Sequence, residues 1–402
     1  MLFDGKPLET VTEADLQRLV DTKFVERKSI DYKASLSEST DGQKAEFLND
    51  VSSFANAQGG HLVCGIKEEA GVPIEVCGLD IADTDALKLK LESIIRSGVR
   101  PRISGVSTWA IRLQNGRAVV IISISKSWNS PNMVTFNDQY RFYGRGTNGK
   151  YRLDVDELRN VFVRSATVAD RIRSFRLERI AKILEGEEPV PLIKENGRAV
   201  LHIVPFGAFE TGLRLRLEFP SDAKLYWPMN CVNHATDYIP RINFDGFLMH
   251  ALTGIGVDLD RKSRPFSYVQ FFTNGIIEAT DSLLVERQIA EKQWSGKIRG
   301  DTLVPEMLDG LGRYLSVQKT LGVEPPLCVM VTLIGVSGSR LFANGVYSGW
   351  LVDREVLQIP EIVLESFDCE PAMVMRPIFD AIWNAAGYAR SLNYDKQGKW
   401  VQ

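Results

Sequence analysis

The stretch "FLNDVSSFANAQGGHLVCGI", residues 47–66, constrains the fold more than any other part of the chain. Phe47, Val51 and Phe54 are spaced four and three apart, which puts them on one apolar helical face. The helix must stop in "NAQGG", because Gly59 or Gly60 can take the positive φ that closes a helix. "HLVCGI" then follows at once as a compact, buried strand. A helix that runs through two glycines into a buried strand demands a mixed fold, with helix packed on sheet.

The flanking segments agree. Residues 12–20 read as a short entry helix, with Thr12 as its cap and acids in its first turn. A second helix spans about 84–97, with Leu87, Leu91 and Ile94 on one side. Trp109, Ile111 and Leu113 alternate into the Asn115-Gly116 turn, and "RAVVIISIS" returns from it, a hairpin signal. "QYRFYGRG" is another strand. A long helical stretch covers about 154–186, and "GEEPVPLIKENG" after it clusters Gly, Pro and charge as a boundary does. Beyond it, "AVLHIVPFGA", "LRLRLEF", "INFDGFLMH", "YVQFFTNGIIEAT" and "PLCVMVTLIGV" suggest strands. "VPEMLDGLGRYLSVQKTLG" and "AMVMRPIFDAIWNAA" suggest helices. The expected class is α+β, with a mixed domain over 1–153, a helical linker over 154–190 and a second mixed α/β domain over 191–402.

The totals exclude several functions. At 402 residues the chain holds two or three cores' worth of material. A net charge of −3 rules out a uniformly basic nucleic-acid coat, although not a local basic groove. Five scattered cysteines, with no C-x-x-C, read as buried thiols in a reducing cytosol. The four histidines show no zinc-like spacing with them. No apolar run reaches membrane-spanning length, and the first residues are too acidic and polar for a signal peptide. A cytoplasmic protein without membrane contact is expected.

Chemistry concentrates in two places. "FVERKSIDYKAS", residues 24–35, carries Glu26, Asp31 and Lys33. Asp31 and Lys33 share one face of a strand, but Glu26, at an odd offset, joins Asp31 only if the backbone bends between them. Glu68 and Glu69, leaving the end of a neighbouring strand in "GIKEEAG", offer a third carboxylate. Carboxylates holding Mg²⁺ or Mn²⁺ can activate water and relieve phosphate charge, yet solvated edge charges account for a D-x-K element equally well. The second place is "RFYGRGTNGKYR". It sets Arg141, Arg145, Lys150 and Arg152 among aromatics that include Tyr143, as a loop that grips a phosphate backbone and stacks on a base would. A charged hairpin turn is the plainer alternative. The glycines at 59 and 60 lack the order of a dinucleotide or ATPase loop.

Taken together, "ERKSIDYK", the F-A-N-x-x-G-G block followed by a strand and Gly-Ile, and "YRFYGRGTNGKYRLDVDELRNVF" resemble the Schlafen AlbA_2 domain, over roughly residues 20–165. The ribonuclease branch of that family implies a metal-dependent endoribonuclease that cuts tRNA and related structured RNA, in host defence or stress. On the matching positions, Glu26, Asp31 and Glu68 would hold the Mg²⁺ or Mn²⁺ and Lys33 would assist. Asp31 stands where the pattern has Glu, and Lys67 where it has an acid. The ribonucleases of that branch clamp RNA between two such lobes, so one lobe here implies a homodimer. A non-enzymatic RNA- or DNA-binding or regulatory protein is the alternative reading.

Overall fold

The computed structural model describes residues 6, 8–36, 39–103, 105–147, 149–209, 214–218, 222–230, 235, 237–253, 264–290, 293–343, 346–395 and 397–400. The chain forms two compact units, residues 1–167 and 168–402. Both mix helix and sheet. No helix among the described residues is long and apolar enough to cross a membrane.

The first unit is built on a four-stranded sheet, β1 (Ile30–Lys33), β2 (Gly60–Cys64), β7 (Ala118–Ile124) and β6 (Val106–Arg112), in that order. β1 and β2 run parallel, with Asp31 opposite Leu62 and Lys33 opposite Cys64. The parallel step is made by α2 (Asp41–Ala55), which crosses from one strand to the next as such a pair requires. Phe47, Leu48, Val51 and Phe54 of α2 bury themselves against Leu62, Val120, Ile122 and Ile124 on one sheet face. The opposite face packs Ile30, Tyr32, Val63 and Ile121 against Leu16 and Leu19 of α1 (Glu13–Asp21). Both helices start on threonines whose side chains form capping boxes, Thr12 with Asp15 and Thr40 with Gln43.

Smaller elements surround this frame. β3 (Ile66–Glu69) and β4 (Val72–Val76) form a hairpin, α3 (Thr84–Gly98) packs on α2, and β5 (Val99–Arg100), β8 (Met133–Val134), β9 (Arg141–Gly146) and β10 (Gly149–Arg152) make a second sheet beside α2. α4 spans Val155–Glu185.

In the second unit, β11 (Arg198–Pro205) lies in an antiparallel sheet ordered β12-β13-β14-β15-β11-β18-β21. The other members are β12 (Asp237–Ile242), β13 (Gly246–Thr253), β14 (Arg264–Phe272), β15 (Ile277–Asp281), β18 (Leu327–Ile334) and β21 (Val356–Gln358), while β16 (Val285–Ala290), β17 (Gln293–Arg299), β19 (Ser339–Ala343) and β20 (Val346–Ser348) form a smaller sheet. α5 (Gly300–Thr320) and α6 (Pro371–Ala385) share one large core with the sheet residues Leu201, Ile203, Val269, Phe271, Val329 and Val331. The alternate residues of β11 and β18, Val200, Val204 and Met330, face the other way. There they meet Ile172, Ile180 and Ile183 of α4.

Candidate functional site

Glu26 and Asp31 meet because the chain doubles back between them. Arg27 and Ile30 bridge each other, with Lys28 and Ser29 forming the turn. The Glu26 Oε1 then accepts the Tyr32 N–H at 2.8 Å, which ties it to β1 beside Asp31. On β1 itself, Ile30 and Tyr32 point into the core and Tyr32 donates its hydroxyl to the Phe24 carbonyl, so Asp31 and Lys33 project from the other face.

Glu68 arrives from β3, next to the β3–β4 turn. The Glu26 N–H donates to the Gly71 carbonyl at 2.7 Å, and the Gly71 N–H donates to Glu68 Oε2 at 2.6 Å. Gly71 has a φ of +78°, and a Cβ there would come within 3.4 Å of the Glu26 Cβ. One glycine thus pins the loop acid and the hairpin acid to each other.

The Glu26 carboxyl feels the charges of the other two. Burial raises the Glu26 carboxyl to about 7; the Asp31 and Glu68 charges add to the rise, and the Tyr32 N–H opposes it. Burial would raise Asp31 too, but Arg145 and Lys33 outweigh it and hold that carboxyl below its usual range. Lys33 Nζ stands 2.9 Å from Asp31 Oδ1, and Arg145 Nη2 stands 2.5 Å from Asp31 Oδ2. Burial works against the charge on Lys33, yet Asp50, Asp31 and Glu26 together raise its pKa.

The basic loop is turned partly inward. Arg141, Tyr143 and Arg145 alternate on β9, and Arg152 and Lys150 sit directly opposite Tyr143 and Arg145 on β10. Residues at these positions share one sheet face, and that face meets α2. Tyr143 is therefore part of the core, not a platform for a base, and Arg145 is held against Asp31, out of reach of an outside phosphate. Lys150 Nζ is bound by Glu46 and, at 2.8 Å, by Asp50. Arg152 is exposed and Arg141 half-buried, so these two keep access to solvent.

Asp50 and Glu46 were not singled out in the sequence, although a signal was there. Asp50 lies three residues after Phe47 and four before Phe54, inside the apolar stripe of α2, where a carboxylate is costly unless paired. Its side chain is 4% exposed, and burial raises its pKa against the pull of Lys150 and Lys33.

Oxygen donors such as these suit a hard divalent cation. Among the described residues, however, no group of three or more His, Cys, Asp or Glu side chains stands arranged to hold a metal ion. Both Asp31 oxygens face a cationic side chain, and Lys33, 39% exposed, is the one with room to swing away.

No curated protein matches the chain. Among solved structures, the DIP2311 protein from Corynebacterium diphtheriae matches at 17% identity and a TM-score of 0.25, over 35% of this chain and 26% of that one. The chain thus spans about a quarter of that protein's length. The N-terminal domain of a RecG-related protein from Nitrosomonas europaea matches at 17% identity and a TM-score of 0.27, over 36% of this chain and 95% of that one. The N-terminal region, residues 26–154, which contains every side chain of the carboxylate site, matches the family described as Schlafen, AlbA_2.

Proposed function

We propose that the N-terminal unit is a metal-dependent endoribonuclease acting on structured RNA such as tRNA, in defence or stress. One observation carries the reading: Glu26 is tied to β1 beside Asp31 through the Tyr32 N–H and to Glu68 of β3 through Gly71, with Lys33 Nζ 2.9 Å from Asp31. Glu26 and Glu68 would hold Mg²⁺ or Mn²⁺, joined by Asp31 Oδ1 once Lys33 leaves it. Such an ion, when bound, activates water and stabilises charge on the attacked phosphate. Lys33, released from Asp31, places its ammonium against the phosphate. Glu26, whose carboxyl lies near 7 without an ion, would have to release its proton to bind one, so metal binding should strengthen as pH rises through 7. Arg141 and Arg152, on the accessible part of the basic loop, would hold the RNA backbone, while Tyr143, Arg145 and Lys150 act from inside. A homodimer would supply a second wall for the RNA; a solution mass that stays monomeric with and without RNA removes that part.

The deciding experiment is a cleavage assay on tRNA, single-stranded RNA and duplex DNA, with Mn²⁺, Mg²⁺ or EDTA, beside Asp31→Ala. Metal-dependent fragments that vanish in the variant support the nuclease. Intact substrates, together with a salt-sensitive gel shift that the variant retains, favour the second reading, a non-enzymatic RNA- or DNA-binding protein. The specific observation on that side is that Asp31 already has Lys33 and Arg145 on its two oxygens.

A further inference from the structure

The block Phe54-Ala55-Asn56-Ala57-Gln58-Gly59-Gly60 touches none of the proposed chemistry directly, yet its contacts converge on the strand that carries Arg145. The Phe54 ring lies under the guanidinium, with Cζ 4.0 Å from the ring centroid. Gly60 makes room for that ring, since a Cβ there would come within 2.6 Å of it. Asn56 donates to the Tyr143 carbonyl at 2.9 Å and exchanges hydrogen bonds with Asn132, which fixes β9 against the end of α2.

Arg145 itself is an expensive choice. Its side chain is 1% exposed, and among the described residues its Nε and Nη1 meet no hydrogen-bond acceptor. Burying unmatched N–H groups costs free energy that an apolar residue would not. What the planar guanidinium does, and a lysine cannot, is lie flat on a ring while aiming one amino group sideways. That group is Nη2, and it meets Asp31 Oδ2.

We propose that Arg145 is a positioning residue for Asp31, braced by Phe54. It fixes Oδ2, so that Oδ1, itself buried and 2.9 Å from Lys33 Nζ, is the oxygen left for a cation once Lys33 swings away. The inference rests on the reading of Glu26, Asp31 and Glu68 as a divalent-cation site.

The test is Arg145→Lys in the full chain, which preserves the charge beside Asp31 and removes the flat fork. Mn²⁺ binding is measured by calorimetry without RNA, at a temperature where circular dichroism shows the variant folded. Steady-state cleavage of tRNA supplies kcat and KM. The Mn²⁺ dissociation constant is expected to rise roughly 10–100-fold, as when a residue orienting a metal ligand is lost. The value of kcat should fall, while KM and the salt dependence of RNA binding stay put. Phe54→Leu, which leaves every charge in place, should shift Mn²⁺ binding the same way by less; if Arg145→Lys fails to fold, an unchanged Mn²⁺ affinity in Phe54→Leu overturns the proposal. Wild-type Mn²⁺ affinity in a folded Arg145→Lys protein also overturns it, leaving a structural ion pair. So does a raised KM with a salt slope reduced by about one, because Arg145 would then be touching phosphate. Wild-type protein that holds no Mn²⁺ removes the cation-site reading itself, an outcome distinct from binding that the substitution leaves unchanged.

Discussion

Arg145 on Asp31 in the first unit and Arg179 on Glu278 in the second are both buried arginine–carboxylate pairs, and the two are finished differently. In the second unit Glu278, fully buried, accepts both arms of the Arg179 fork at 2.7 Å and the Tyr268 hydroxyl at 2.9 Å. The His202 Nε2 lies 2.9 Å from it as well. Burial alone would raise this carboxyl, yet Arg179 and His202 overcome that and bring it down to about 2. In the first unit Asp31 receives one arm of Arg145 and a lysine, while a neighbouring carboxyl, Glu26, is left near 7. A closed pair spends all its valences on holding α4 to the sheet. An open one leaves negative charge over for something that comes and goes.

Arg179→Met should show the largest effect. It strands Glu278 without its fork, and breaking a buried pair from one side costs roughly 3–5 kcal/mol. The urea midpoint of the second unit should drop accordingly, with RNA cleavage by the folded chain unchanged. A loss below about 1 kcal/mol would mean that His202 and Tyr268 suffice, and the pair is not closed by the arginine at all. Asp31→Asn should be the reverse case. Stability should fall by only about 1–3 kcal/mol, because the amide oxygen of the new asparagine can still accept from Arg145, while metal-dependent cleavage should fall by two orders of magnitude or more. Retained cleavage in this variant would erase the functional difference between the pairs.

The two pairs also answer pH with opposite signs. Glu278 sits at about 2 when folded against 4.5 free, so its contribution is complete above 4.5 and disappears as pH falls toward 2. Glu26 sits at about 7 against the same 4.5, so the folded state prefers it protonated; stability is greatest below 4.5 and is lost as pH climbs through 7. Asp31, held below its usual range, acts only in the acid window and does not cancel this. Urea midpoints taken from pH 4.5 to 8 should therefore decline for the first unit, flatten in Glu26→Gln, and flatten again when Mn²⁺ is added to the native chain. A decline that survives Glu26→Gln would place the excess charge elsewhere.

How much of this could be read in the sequence depends on the range of the interaction. Helices whose period and caps are local were legible to within a residue or so: 12–20 became Glu13–Asp21, and 84–97 became Thr84–Gly98. The Asn115-Gly116 hairpin formed for the same reason. "LRLRLEF" misled because alternation reports a half-buried extended chain, not a ladder. Leu215 and Leu217 do pack on the core, but residues 214–218 form no strand; the Leu215 N–H donates to the Thr273 carbonyl. Glu26, Asp31 and Glu68 were visible as types. Their meeting depends on a turn at Lys28-Ser29 and on Gly71, which no pattern spells out. Arg176 and Arg179 looked like scattered basic residues of a helix, because their partners, Thr332 and Glu278, lie about a hundred residues or more away.

Lys150 falls between the two classes and gives the smallest and sharpest test. It bridges Glu46, which is mostly exposed, and Asp50, which is buried, and Lys33 also faces Asp50. When Lys150→Met removes the bridge, Lys33 remains as a counter-charge and Asp50 can take up a proton. The cost should be near 1 kcal/mol, nearer an exposed pair than a buried one. RNA affinity should hardly change, because this ammonium is already spoken for. Arg152→Ala, on the same strand but exposed, should cost no stability, yet weaken RNA binding and lower the salt slope by about one. If the two variants exchange these phenotypes, Lys150 leaves its carboxylates when RNA arrives, and the open character of the first unit extends from Asp31 to Asp50.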